Sequence, residues 1–173
     1  MALIVVERSF EQSTPFERLA AMELAVADCL RRYRVRPLYS YHARDQCNTV
    51  CIYEAPDADA VRATQDEGGL AYERAWNARM IPVNEEKLPQ GYQRVIVQRE
   101  LSSRLDEQGV SGIHARTASC MNIYRVKPIV TYLSADGSRT VCLFTAPDAE
   151  SARLASVHAG VPLVRAWSAI FHE

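Results

Sequence analysis

No run of apolar residues in this sequence approaches the roughly 20 needed to cross a bilayer as a helix, so a helical membrane span is excluded. There is no glycine-rich phosphate loop, no nucleophile elbow and no helical HExxH, which removes the common signatures of nucleotide, acyl-transfer and zinc-peptidase sites. There is also little net charge. Twenty Lys and Arg against 21 Asp and Glu leave a formal charge of -1, so nothing draws the chain in bulk to nucleic acid or to an anionic membrane surface. The RNP1 pattern of RNA-binding sheets is missing as well. The start, Met1-Ala2-Leu3-Ile4-Val5-Val6-Glu7-Arg8, has no charged leader and no small-residue cleavage site and reads as a strand, which places the expected compartment in the cytoplasm. The cysteines number five, Cys29, Cys47, Cys51, Cys120 and Cys142. An odd count without a leader argues against a disulfide framework. Cys29 and Cys120 fall on apolar helix faces and Cys51 and Cys142 inside strands, where all four read as small buried hydrophobes.

What the sequence does contain is itself, twice. Shifted by 91 positions, its halves superpose without a gap: Tyr33-Arg34-Val35-Arg36-Pro37 on Tyr124-Arg125-Val126-Lys127-Pro128, Ala55-Pro56-Asp57-Ala58 on Ala146-Pro147-Asp148-Ala149, and Arg74-Ala75-Trp76 on Arg165-Ala166-Trp167. About 23 identities over roughly 80 positions mark an internal duplication. The first unit takes residues 1–82 and the second 94–173. Residues 83–93 between them, bounded by Pro82 and Pro89 and carrying Gly91, read as a linker.

Each unit reads as strand, helix, hairpin, helix, strand. Thr14-Pro15-Phe16-Glu17 has the residues of a capping box with proline in the first turn. Leu19, Met22, Val26, Cys29, Leu30 and Tyr33 follow at helical spacing, predicting one helix with a single apolar stripe. Residues 35–43 and 49–54 form a predicted hairpin turning at Asp45, with 126–133 and 140–145 as the twin turning at Asp136-Gly137. Asp57 and Asp148 are placed to cap second helices that end near Gly68-Gly69 and Gly160. This is the split βαβ order of the ferredoxin-like fold. The fold class is α+β, with two tandem βαββαβ units expected to form a pseudo-dimer of the α+β-barrel kind.

In such a unit helices cover one sheet face and the other must meet solvent or a partner. Strand periodicity puts Val50, Ile52, Ala75 and Ile81 on the helix side. It puts Ile4, Val6, Arg8, Tyr39, Tyr41, Thr49, Cys51, Tyr53, Arg74, Trp76 and Met80 on the other, with Arg99, Tyr132, Arg165 and Trp167 in the second unit. A face this apolar suits pressing one unit against the other. Its arginines, tyrosines and tryptophans (Arg8, Tyr41, Arg74, Trp76, Arg99, Tyr132, Arg165, Trp167) then form either plain core or a pocket for an anionic small molecule.

Among metal-ligating residues, Cys47 and Cys51 on one strand are more than about 10 Å apart at ~3.3 Å per residue and cannot share an ion. The histidines are His42, His114, His158 and His172, and none recurs in the repeat. His42 with Asp45 and Cys47 across a tight turn forms the best local set of N, O and S donors, of a kind that suits nickel, copper or zinc, beside the plainer reading of a solvated hairpin tip. His158, before Gly160, suits a helix C-terminus.

Val-Glu-Arg near the start, Tyr-Arg-Val before a strand, and Val50-Cys51-Ile52-Tyr53-Glu54-Ala55-Pro56-Asp57, repeated as Val141-Cys142-Leu143-Phe144-Thr145-Ala146-Pro147-Asp148, resemble the DUF4242 family of small ferredoxin-like proteins. The resemblance covers nearly the whole chain, twice. It implies a fold shared with nickel-binding, dimer-forming members and hence a non-catalytic transition-metal role, with nickel as the ion. It also implies a histidine shortly before the glycine that closes the second helix. The first unit has Thr64-Gln65-Asp66-Glu67 there and the second has His158. Three functions remain: a metal-binding protein using His42, Asp45, Cys47 or His158, a binder or enzyme for a small anionic ligand, and a structural or interaction module, any of which could also form a homodimer.

Overall fold

The computed structural model describes every residue from Met1 to Glu173. The first repeat contains strands β1 (Ala2–Ser9), β2 (Arg36–Ala43), β3 (Asn48–Ala55) and β4 (Arg74–Pro82), with helices α1 (Phe16–Ala25), α2 (Ala27–Arg32) and α3 (Ala58–Glu67). The second contains β5 (Gln93–Glu100), β6 (Lys127–Ser134), β7 (Arg139–Ala146) and β8 (Arg165–His172), with α4 (Glu107–Ile123) and α5 (Ala149–His158). By compactness the chain divides into Met1–Ala78 with Ile170–Glu173, and Arg79–Ala169.

Within the first unit β1 lies between β3 and β4, and β3 also pairs with β2, all antiparallel. The second unit repeats this with β5 between β7 and β8, and β7 also against β6. The β2–β3 and β6–β7 ladders slip at matched places, between Pro37 and Tyr39 and between Pro128 and Val130. Proline has no N–H to give a ladder, so both copies bulge beside it.

The helix-facing cores are also twins. Ile4, Val6, Cys51, Tyr53 and Ala75 pack with Val61 of α3, and Val95, Val97, Cys142 and Phe144 pack with Ala152 and Ala155 of α5. Asp57 and Asp148 cap as their positions suggest, accepting from the backbone N–H of Ala60 at 2.8 Å and Ser151 at 2.7 Å. No helix is long and apolar enough to cross a membrane.

The first helical segment departs from expectation. Thr14 does not cap it. Its hydroxyl donates to the carbonyl of Gln12, and α1 begins after Pro15 without a side-chain cap. The single helix read from the apolar stripe is broken at Val26, whose backbone leaves the helical region. A Cβ on Gly68 would lie 2.2 Å from the Cγ1 of Val26, so the break fits against a glycine. The twin helix α4 runs unbroken, with Thr117 in place of Val26 and Ala159 in place of Gly68. Cys51 and Cys142 are buried as read, whereas Cys29 and Cys120 are only half-buried. The four residues are set on strands and helix flanks respectively, and only the strands are enclosed.

The hairpin turns show what the duplication tolerates. Gln46 adopts φ 62° and its twin Gly137 φ 71°. At Gly137 a Cβ would come 2.2 Å from the carbonyl oxygen of Leu105, which closes the turn by donating its own N–H to Gly137 at 2.9 Å. Gly137→Ala should therefore destabilise the protein by at least about 1–3 kcal/mol, the cost of a non-glycine residue in the left-handed region plus the backbone contact. Urea denaturation monitored by circular dichroism would measure it.

Candidate functional site

Strand register corrects the face assignment. Ile4, Val6 and Arg8 stand opposite Tyr53, Cys51 and Thr49, and Val6 stands opposite Ala75. All of these belong to the helix side. Val5 and Glu7 stand opposite Ile52 and Val50 on one flank and Trp76 and Arg74 on the other, with Tyr39 and Tyr41 beside Ile52 and Val50. Arg74, Trp76 and Tyr41 are therefore on the non-helical face as expected, while Arg8 is on the opposite one, and Val50 and Ile52 do not face helices. The second unit shows the same split, with Arg165, Trp167 and Tyr132 on one face and Arg99 on the other. The central strands are apolar at consecutive positions, so no alternation marks their phase.

On the non-helical face the large polar side chains serve one another. The Trp76 Nε1–H donates to Glu7 Oε1 at 2.7 Å, and Glu7 lies across the ladder from Arg74. The Trp167 Nε1–H donates to Gln98 Oε1 at 2.8 Å, and Gln98 lies across from Arg165. Tyr39, Tyr41 and Phe171 form a ring cluster with centroids 5.5–6.1 Å apart. The tryptophans and Tyr41 and Tyr132 are thus core residues.

The unmatched group is Arg8. At the end of β1 it passes under the helices and is only 4% exposed. Its Nη2 donates to Gln65 Oε1 on α3, but the buried Nη1 has no partner. Beside it the Tyr53 hydroxyl donates to Glu23 Oε1. Burial works against the Arg8 charge, but Cys51, Tyr53 and Glu23 outweigh it and hold the guanidinium above its ordinary pKa. Burial raises the Cys51 thiol and the Tyr53 phenol, so both stay neutral. Arg8 opens onto a cavity of about 410 Å³ between β1, β3, α1 and the turn after α3. Its walls include Leu19, Met22 and Leu70, with Arg18 and Thr14 nearby. The cavity exists because α1 stands off the sheet: none of its residues is buried.

The second unit supplies an internal control. Arg99 occupies the twin position and is 6% exposed, but its Nη1 donates to the Pro162 carbonyl at 2.8 Å and its Nη2 to the Ser156 hydroxyl at 2.9 Å. Burial lowers its pKa, with only Cys142 in opposition. The unbroken α4 lays Val110, Thr117 and Met121 on the sheet, and the remaining space is about 30 Å³. Glu23, Gln65 and Tyr53 have become His114, Ser156 and Phe144. One duplicated arginine is satisfied by its own chain and the other is not. The sequence reading gave Glu23 and Gln65 no role at a site, and their divergence from His114 and Ser156 in the second repeat is the signal that could have found them.

The expected metal donors do not assemble. Asp45 accepts from the Cys47 backbone N–H at 2.9 Å and its carbonyl receives the Cys47 thiol, a local turn closed by these two residues. His158 packs edge-on against Tyr124. No group of three or more His, Cys, Asp or Glu side chains is arranged to hold an ion, because His42 points to the helix side while Asp45 and Cys47 stay in the turn. His42 instead meets His172, with ring centroids 6.2 Å apart, and His172 stacks on Phe16 at 3.6 Å. The His42 ring bonds to the Thr14 backbone, and its buried Nε2 has no partner.

Burial, and then the charge of His172, lowers the pKa of His42, and burial lowers that of His172. A histidine with a depressed folded pKa gives stability that is complete above its unfolded value near ~6.5 and is lost as the pH falls below it. The urea midpoint should therefore drop from pH 7 to pH 5, and His42→Gln should make that slope shallower. An unchanged slope in the variant would remove His42 as the cause.

Several solved structures are similar over nearly the whole length of the chain at low identity. An anthrone oxidase-like protein is 8% identical, covers 99% of this chain and 90% of its own, and gives a TM-score of 0.47. A protein provisionally named a chlorite dismutase, TA0507, is 9% identical over 98% and 93%, with a TM-score of 0.47. One from Fusobacterium nucleatum, provisionally named a monooxygenase, is 12% identical over 98% and 90%, with a TM-score of 0.42. All three scores are low, and nothing about chemistry follows from them. No curated protein sequence matches the chain. Residues 5–77 and 96–168, however, both match the family described as nickel responsive protein SCO4226-like. The two matched segments account for most of the sequence and coincide with its repeats, so the chain belongs to the SCO4226-like family and carries that family's unit in tandem.

Proposed function

We propose that the first unit binds a small amphiphilic carboxylate in the cavity at Arg8. The observation that carries this is a buried guanidinium nitrogen without an acceptor, on a side chain that lines about 410 Å³ of space, when both terminal nitrogens of the duplicated guanidinium are bonded. A buried donor without an acceptor costs free energy, and a ligand oxygen removes that cost. Anionic oxygen answers it best, because charge-assisted hydrogen bonds are roughly twice as strong as neutral ones. Leu19, Met22 and Leu70 then suit an apolar body. Glu23 disfavours a dianion, and the neutral Cys51 and Tyr53 offer no nucleophile, so the reading is of binding.

Titration calorimetry with 4-phenylbutyrate and its neutral amide tests this. The acid should bind one per chain and at least about tenfold more tightly than the amide. Arg8→Gln should remove most of that preference, a loss on the order of 1.5–3 kcal/mol for a hydrogen bond to a charged group. Arg8→Lys should fall between, and Arg99→Gln should leave binding unchanged. Equal affinity for acid and amide would refute the proposal.

A second reading follows from the family description and the bare His42 Nε2. Of the donors read from the sequence, His42 lies beside His172, and this imidazole pair supplies two borderline ligands of a suitable kind. The Thr14 contact fixes the His42 ring and leaves its other nitrogen for an ion. Nickel titration of the tag-free protein should then perturb the His42 and His172 ring resonances together, and His42→Ala should abolish uptake. Ring resonances that stay unmoved at saturating nickel would exclude this pair.

A further inference from the structure

The second unit has a feature that the first lacks. The linker crosses back over β6, where the backbone N–H groups of Val83 and Asn84 donate to the Ile129 carbonyl and the Asn84 side chain donates to that of Pro128. Linker, α4 and β6 together enclose a groove of about 730 Å³. Lys87, Arg125 and Lys127 line it, and no Asp or Glu does. The linker's own acids are engaged, Glu85 by Lys87 at 3.4 Å and Glu86 by Arg94. Arg125 and Lys127 have no anionic partner.

The repeat shows how this arose. In the first unit the twin of Lys127 is Arg36, which forms an ion pair with Glu54 across the ladder. The twin of Glu54 is Thr145, which lines the groove and leaves Lys127 without its acid. Glu23 has likewise become His114, which also lines the groove. Burial, and then Arg99, lowers the pKa of that histidine, so it stays neutral. Along this lining the second unit has Thr145, His114 and Asn122 where the first has Glu54, Glu23 and Arg31, and it keeps cations at Arg125 and Lys127, so two acids and one cation of the first unit have neutral counterparts here. Arg125 sits at φ 56°, as its twin Arg34 does at φ 57°, a conformation that glycine adopts more easily.

We propose that this groove is a binding site for an organic phosphate monoester. Two uncompensated cations match the dianion that a monoester carries near neutral pH. Arg125 offers the planar fork suited to phosphate oxygens and Lys127 a point charge. Tyr92, Pro89 and Met121 provide an aromatic and apolar bed for the organic part. The site lies in the second unit and shares no residue with the Arg8 cavity, so either can fail alone.

Titration of the full chain with phenyl phosphate at low salt, followed by amide proton–nitrogen shifts, tests the assignment. Shifts should concentrate at Tyr92, Asn122 and Lys127 and fit one site of millimolar affinity or better. Arg125→Gly suits the local backbone and should keep the fold while weakening binding at least about fivefold, as should the exposed Lys127→Gln. Arg34→Gly, the twin change in the first unit, and Arg8→Gln should leave the affinity unaltered. Benzoate binding as tightly as phenyl phosphate, affinity in Arg125→Gly within about twofold of the parent, or no shifts at these positions in 10 mM phenyl phosphate would each overturn the proposal.

Discussion

A guanidinium taken out of water must find acceptors for its N–H groups, and that demand organises both halves of this protein. Arg8 and Arg99 arise from one duplicated position, and each is carried beneath the helices by a strand whose neighbours are apolar. In the second unit the chain answers with the Pro162 carbonyl and the Ser156 hydroxyl. In the first, Gln65 takes one nitrogen and the other has no acceptor, in a side chain that lines a cavity. Leaving a buried donor unmatched is costly, so the contrast sets the Arg8 cavity apart from its counterpart in the second unit.

The way each first helix packs decides which outcome is reached. The unbroken α4 presses Val110 and Met121 onto the sheet and fills the space. In the first unit the break at Val26 divides the helix, and α1 keeps Leu19 and Met22 for the cavity wall rather than the core. Small changes around an unchanged framework (Thr117 for Val26, Ala159 for Gly68, Ser156 for Gln65) are enough to convert an open unit into a closed one. Duplication relaxes the need for both copies to perform the same task. The groove beneath the linker differs in the other direction, because there the second copy has Thr145 and His114 where the first has Glu54 and Glu23.

Membership of a nickel-responsive family sits beside a chain whose sequence-read donors are dispersed. Asp45 and Cys47 close a hairpin turn, His158 rests on Tyr124, and His42 turns toward His172 from the far end of the chain. The first three are local structural devices. Only the histidine pair brings together residues remote in sequence with a nitrogen left bare.

The repeat, the order of strands and helices, the Asp57 and Asp148 caps and the glycine-closed turns were legible in the sequence, because each rests on residues a few positions apart. Which face Arg8 occupies was not. Ile4-Val5-Val6 and Val50-Cys51-Ile52-Tyr53 are apolar on both sides of the strand, so the phase came from cross-strand register, with a bulge at Pro37 shifting it. The break at Val26, the loss of partners at Arg8 Nη1 and the meeting of His42 with His172 likewise depend on contacts between distant segments. Local propensity determined the elements of this protein, and only their packing decided which side chains were left with work to do.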